Sequence, residues 1–164
     1  MNIIVNADKN WAIGKNGGLL FRLKQDMKFF KAHTIDNIVV MGRKTLQSLP
    51  GGKPLPGRTN IVLSANPDFA CDGAIVCNNG GELAELLKDT TRDIYIIGGE
   101  SLYRDLLPFC DTAYVTRVDA EADSPDAFMV DLDNAPGWRI ASVSDEMEED
   151  GIKFKFITYK KVAG

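Results

Sequence analysis

Six short runs rich in valine and isoleucine constrain this chain more than any other feature. Residues 2–7, 37–41, 60–64, 74–77, 93–97 and 112–118 each read as a strand. In most of them apolar residues follow one another without polar alternation, the pattern of strands covered on both faces. Between them, residues 23–34, 43–49, 81–89 and 100–107 carry helical spacing, with Leu102, Tyr103 and Leu106 on one face of the last. Strands alternating with helices predict an α/β fold with a mostly parallel, twisted sheet and helices on both faces. After residue 137 the pattern changes. Residues 138–144 and 152–160 read as strands joined by the acidic turn 145–151, an antiparallel C-terminal hairpin that makes the sheet mixed.

A chain of 164 residues predicts a single domain, 1–164, with a core large enough to need no disulfide or metal staple. The net charge of −4 comes from acids and bases mixed along the chain, which excludes the basic footprint of a nucleic-acid surface. The longest apolar runs are strand-sized, and no charged segment precedes a signal-length apolar one. These features predict a soluble, cytoplasmic protein without membrane association, and a monomer by default. Cys71, Cys77 and Cys110 lack C-x-x-C spacing, and the single His33 completes no familiar zinc pattern with them. Reduced structural thiols, no metal, and a helix-end role for His33 are the expectations. The long loops fall at residues 9–18 and 50–57.

Asp26 is the candidate ligand-reading residue. On a wheel of about 100° per residue, Lys24, Lys28 and Lys31 cluster on one side, while Asp26 falls nearly opposite among Leu23, Phe29 and Phe30. A buried, unpartnered carboxylate is costly, so protein or ligand must supply donors to it. The alternative reading is a first-turn acid that favours the helix N-terminus.

Two predicted strands run through glycine directly into a helix, at Met41-Gly42-Arg43-Lys44-Thr45 and at Ile97-Gly98-Gly99-Glu100-Ser101. Glycine lets a phosphate approach the backbone, and a helix N-terminus offers unpaired N–H groups. Arg43 and Lys44 add positive charge, and Ser64 adds a hydroxyl beyond a third strand. Neither segment has the spacing of a Rossmann fingerprint or a P-loop. Arg58, after Leu55-Pro56-Gly57, is placed either to clamp a carboxylate or to lie in a solvated loop.

Ile13-Gly14, Asp26 with Phe30, Met41-Gly42-Arg43-Lys44-Thr45, Leu55-Pro56-Gly57-Arg58, Gly98-Gly99 with Tyr103, and Tyr114-Val115-Thr116 occur in that order. As a set they resemble the dihydrofolate reductase family over essentially the whole chain. The resemblance implies NADPH-dependent reduction of dihydrofolate to tetrahydrofolate, by hydride transfer to C6 and protonation at N5, with antifolates as further small-molecule ligands. It implies that Asp26 and Thr116 are the catalytic pair. Asp26 would accept hydrogen bonds from the pterin ring nitrogen and 2-amino group, with Thr116 joined to the same carboxylate through water. Val5, Ala7, Met27, Phe30, Leu49 and Ile97 would line the substrate pocket, and Arg58 would hold the glutamate α-carboxylate.

On the cofactor side the resemblance implies that Gly42, Arg43, Lys44, Thr45, Leu63 and Ser64 bind the adenine half of NADPH. Gly98, Gly99, Glu100, Ser101, Leu102 and Tyr103 would receive the pyrophosphate, across a cis Gly98–Gly99 peptide. Ala7, Ile13, Gly14, Gly18 and Leu19 would adjoin the nicotinamide. The chain departs from the family at Leu20-Phe21, where Pro-Trp is usual; phenylalanine cannot donate the hydrogen bond by which an indole anchors a water beside the pterin. Residues around Pro50 to Lys53 are additional. Two other readings stand beside this one: a reductase of the same fold acting on a pyrimidine intermediate of riboflavin synthesis, and a nucleotide-binding module without turnover.

Overall fold

The computed structural model describes residues 1–162. Its central sheet has the order β10 (Met147–Glu149), β11 (Ile152–Lys161), β7 (Thr112–Val118), β1 (Asn2–Ala7), β6 (Ile94–Gly98), β3 (Ile38–Gly42), β4 (Thr59–Leu63) and β5 (Ala74–Cys77), with β9 (Trp138–Val143) also paired to β11. The parallel part comprises β1 (Asn2–Ala7), β3 (Ile38–Gly42), β4 (Thr59–Leu63), β5 (Ala74–Cys77), β6 (Ile94–Gly98) and β7 (Thr112–Val118). β11 (Ile152–Lys161) pairs antiparallel with β7, and its other edge is shared by β9 (Trp138–Val143) and β10 (Met147–Glu149).

Unbroken apolar runs place β3 in the middle, where Ile38, Val39, Val40 and Met41 are all buried. Strand alternation then divides the core in two. On one face Ile3, Val5, Ala7, Val40, Ile61 and Ile96 meet Leu83 of α3 (Gly80–Leu87) and Leu102, Tyr103 and Leu106 of α4 (Glu100–Leu106). On the other, Ile4, Val39, Met41, Val62 and Tyr95 meet Phe29 and Phe30 of α1 (Lys24–Thr34) and Leu46 of α2 (Arg43–Ser48). Each fully buried side chain of this kind contributes about 1.5–3 kcal/mol. No helix among the described residues is long and apolar enough to cross a membrane.

The differences from expectation are short elements. Within the predicted loop 9–18, β2 (Ala12–Gly14) pairs with β8 (Ala127–Phe128). The predicted turn 145–151 contains β10, and the loop 50–57 begins with a 3₁₀ turn at Pro50–Gly52. Two or three residues are too few to show a period, so these pieces have no signature. Helix α1 begins at Lys24, with Leu23 as its N-cap, and α3 ends at Leu87.

Candidate active site

The site is built at the carboxyl ends of β7, β1, β6 and β3, where ligands bind in open α/β sheets. Asp26 occupies the first turn of α1 and is turned toward the sheet. The two readings of this residue therefore coexist. Asn6 and Thr116 are register partners on the neighbouring parallel strands β1 and β7. The Asn6 side-chain amide donates to Asp26 Oδ2 at 2.8 Å, and the Thr116 hydroxyl donates directly to Asp26 Oδ1. Burial pushes the Asp26 carboxyl above its ordinary value; these two hydrogen bonds pull it back, and the nearby charge of Glu149 pushes it up again.

Leu23 offers α1 no capping side chain, but the carboxylate of Glu149 on β10 supplies the missing acceptor. It takes hydrogen bonds from the backbone N–H groups of Lys24 at 2.6 Å and Gln25 at 3.3 Å. Phe29 stacks on Phe156 of β11, with centroids 4.1 Å apart and planes 7° from parallel. His33 packs against the rings of Phe29 and Tyr114 near the helix end. α1 is thus held along its length. Its far end presents Thr34, whose hydroxyl accepts from Arg58 Nη1 at 3.2 Å, while Arg58 Nε donates to the Pro56 carbonyl at 2.9 Å. Asp26 and Thr34 are eight residues apart, which is about 12 Å along a helix axis. Between these ends, Phe30, Leu49, Leu55 and Ile97 form one apolar wall with Ile4.

The two glycine turns lie side by side, since Met41 and Gly98 are register partners on β3 and β6. The Gly98–Gly99 peptide is cis. Neither α2, capped by Gly42, nor α4, capped by Gly99, has a side chain bonded to its first amides. A Cβ at Gly98 would sit 3.1 Å from Thr45 Oγ1, and one at Gly99 3.5 Å from the same atom. The backbone thus leaves a cradle that side chains would fill. Exposed Arg43 lies with its guanidinium 4.6 Å from the Phe69 ring centroid, beside this end of the sheet.

A family model for dihydrofolate reductase matches residues 1–161. The chain belongs to the dihydrofolate reductase family. It is 42% identical over 127 residues to dihydrofolate reductase of Enterococcus faecium, covering 77% of this chain and 75% of that protein. It is 31% identical over 163 residues to the Bacillus subtilis dihydrofolate reductase, covering 98% and 94%. Among solved structures, dihydrofolate reductase from Enterococcus faecalis complexed with NADP(H) and RAB-propyl superposes with a TM-score of 0.86 at 31% identity, covering 98% of this chain and 95% of that one.

Several side chains sit differently from what the family resemblance implies. Thr116 reaches Asp26 directly rather than through water. Val5 and Ala7 point into the core on the opposite face from Asp26, with Ile3 and Tyr103, so only their backbone faces the cleft. Leu102 and Tyr103 are likewise core residues. The Tyr103 N–H is spent on the Gly99 carbonyl and its hydroxyl on the Ile4 carbonyl, leaving the amides of Glu100, Ser101 and Leu102 as the free ones of α4. Leu63 packs against the same core, and Ser64 is buried with its hydroxyl accepting from the Asn66 N–H at 3.3 Å. Met27 and Leu19 are both 55% exposed. Ile13 packs on the core, Gly14 ends β2 opposite Ala127, and Gly18 closes a tight turn with Lys15. Phe21 is half-buried against Leu23, Val118 and Phe154.

Three residues near the site were not anticipated. Asn6 carried a signal, as a polar side chain set between Val5 and Ala7 in an apolar strand run. Asp8, buried, accepts from the amides of Asn10, Ala12 and Ala122 and so ties the first loop to the segment after β7. Glu149 sits in an acidic turn where nothing distinguishes it from its neighbours.

Proposed function

We infer that this protein catalyses NADPH-dependent reduction of dihydrofolate to tetrahydrofolate. The observation that carries the reading is the half-buried Asp26 carboxylate, held by donors from two strands at one end of an apolar wall whose other end is Arg58. A carboxylate has about four acceptor positions. Asn6 and Thr116 take one on each oxygen, which leaves one on each oxygen for two adjacent N–H groups. The ring nitrogen and 2-amino group of a pterin offer such a pair. An ion sheltered from water also favours a protonated ring more strongly than an exposed one would. Arg58, fixed through Nε and Nη1, retains donors on its outer edge for a carboxylate at the far end of the ligand.

NADPH fits the second half of the cleft, because two uncapped helix starts and a glycine cradle suit phosphate groups. Gly42, Thr45 and the Gly98 to Leu102 backbone would hold it, with Arg43 and Lys44 supplying charge toward the adenine side. Ala7, Ile13, Gly14, Gly18 and Leu19 bound the side nearest the first loop. When bound, NADPH supplies the hydride that is accepted at C6 of dihydrofolate. The protein's own share is to orient the ring through Asp26, cover it with Phe30, Leu49 and Ile97, and favour the proton at N5.

The pyrimidine reductase reading lacks a use for Arg58, and a non-catalytic nucleotide binder lacks one for Asp26. A monomeric, cytoplasmic enzyme is part of the same inference, and three free thiols suit a reducing compartment. The test is loss of NADPH absorbance on adding dihydrofolate to the purified protein. NADPH binding without dihydrofolate-dependent oxidation would overturn the reading.

A further inference from the structure

We propose that Asn6 is a positioning residue for this reaction: with Thr116 it clamps the Asp26 carboxylate from two adjacent strands and fixes the plane in which that group meets the substrate. The proposal rests on the functional reading above and extends it to a residue that does no other evident work in the fold.

The geometry is that of a two-point mount. Asn6 and Thr116 face one another across the β1–β7 pairing, so their side chains emerge side by side from the same face of the sheet. One takes Oδ2 and the other Oδ1. A single donor would leave the carboxylate free to rotate about its terminal torsion, which is soft in aspartate. Two donors fixed at strand spacing remove that freedom, and the acceptor positions left over point in a defined direction. The next residue in the row, Phe156 of β11, registers with Thr116 and stacks on Phe29 of α1, so the helix bearing Asp26 is fixed to the same strands.

Asn6 is an isolated polar residue between Val5 and Ala7, in a strand whose Ile3, Ile4, Val5 and Ala7 are all buried. Among the described residues its amide bonds only to Asp26, and its removal would leave one carboxylate oxygen without a protein donor. The charged and titratable groups facing Asp26 from the surrounding elements are few. Glu149 of β10 repels it across the start of α1, and the buried Tyr103 phenol of α4 lies within reach of its charge, itself pushed up by burial first. The lysines of α1 are exposed on the other side of the helix. Asn6 and Thr116 are thus the groups that favour the ionised form against burial and Glu149.

The experiment measures single-turnover reduction of dihydrofolate by the NADPH-loaded enzyme as a function of pH, for Asn6→Ala, Asp26→Asn and the double variant. Loss of a donor to the ionised form should move the midpoint of the Asn6→Ala profile to higher pH. It should lower the single-turnover rate about tenfold in the Asp26 parent, but no more than about twofold in the Asp26→Asn background, because partners in one network are not additive. Asn6→Asp keeps the side-chain shape and sets a second carboxylate against the first, so its midpoint should lie higher still; it serves if the alanine variant folds poorly. An unmoved pH profile in both Asn6 variants, with costs that simply multiply in the double variant, would show that Asn6 only fills a strand position and would overturn the proposal. Unimpaired turnover by Asp26→Asn would overturn the underlying functional reading, and this proposal with it.

Discussion

Replacing Asp26 by asparagine should slow the enzyme and stabilise the fold, two opposite effects of one sheltered charge. The folded-state pKa of Asp26 is raised from 3.8 chiefly by burial, despite hydrogen bonds from Asn6 and Thr116. Hydrogen bonds to a charged group are worth about 1.5–3 kcal/mol each, while taking an ion out of water costs several kcal/mol. The upward direction of the shift says that the second effect wins. Asparagine keeps a carbonyl for the Asn6 donor and removes the ion. The gain should be about 1 kcal/mol at neutral pH, or roughly 2–4 °C in Tm for a chain of this size. Activity should fall roughly tenfold or more, the low end of what a positioned acid–base or charge-stabilising group supplies.

The pH dependence fixes the sign. With the folded pKa above the unfolded one, the folded protein retains a proton that the unfolded chain has released, in the window above 3.8. Stability contributed by that proton is fully present below 3.8 and is lost as pH rises through the folded pKa. The Tm advantage of Asp26→Asn should therefore be greatest at neutral pH and vanish in acid. Thermal unfolding across pH, with NADPH oxidation measured in parallel, reads both effects. A Tm that drops at neutral pH, or a rate that does not change, would refute the reasoning.

Arg58→Leu should raise the KM for dihydrofolate by about tenfold or more, since a charge-assisted pair is lost, and leave NADPH affinity unchanged in a fluorescence titration. Arg43→Ala should narrow the preference for NADPH over NADH, read from the ratio of kcat/KM values, without altering Tm appreciably. Gly57→Ala should lower Tm, because Gly57 has φ +74° and an added Cβ would lie 2.6 Å from Ile35 Cδ1. It should also raise the KM for dihydrofolate, since Arg58 is the next residue. Arg58→Leu weakening both ligands equally, an unchanged cofactor ratio, or a fully stable Gly57→Ala would each contradict the corresponding assignment.

The architecture was legible where the sequence has long apolar runs: the six parallel strands and four helices need only period and composition. The short strands β2, β8 and β10 arise from long-range pairing and carry no local mark. Asp26 stood out because a charge on an apolar helix stripe is a local contradiction. Its partners did not, because the Asn6–Thr116 register joins residues 110 positions apart, a relation no periodicity contains. Strand alternation sets the Val5 and Ala7 side chains on the face opposite Ile4 and Asn6. Glu149 was invisible for a similar reason: its role depends on where the hairpin folds back, not on its own surroundings in the chain.

That fold-back has a consequence for how the catalytic half of the molecule is assembled. The carboxylate closing the first turn of α1 lies 125 residues further along the chain than the Lys24 amide it receives, and the ring supporting Phe29 comes later still. Long-range contacts of this kind form late, after the entropy of closing the intervening chain has been overcome. During synthesis the helix bearing Asp26 must therefore wait, its leading amides bonded only to water, until β10 and β11 emerge and dock. Substrate recognition becomes possible only once β10 and β11 have been made, although the residue at its centre is synthesised long before them.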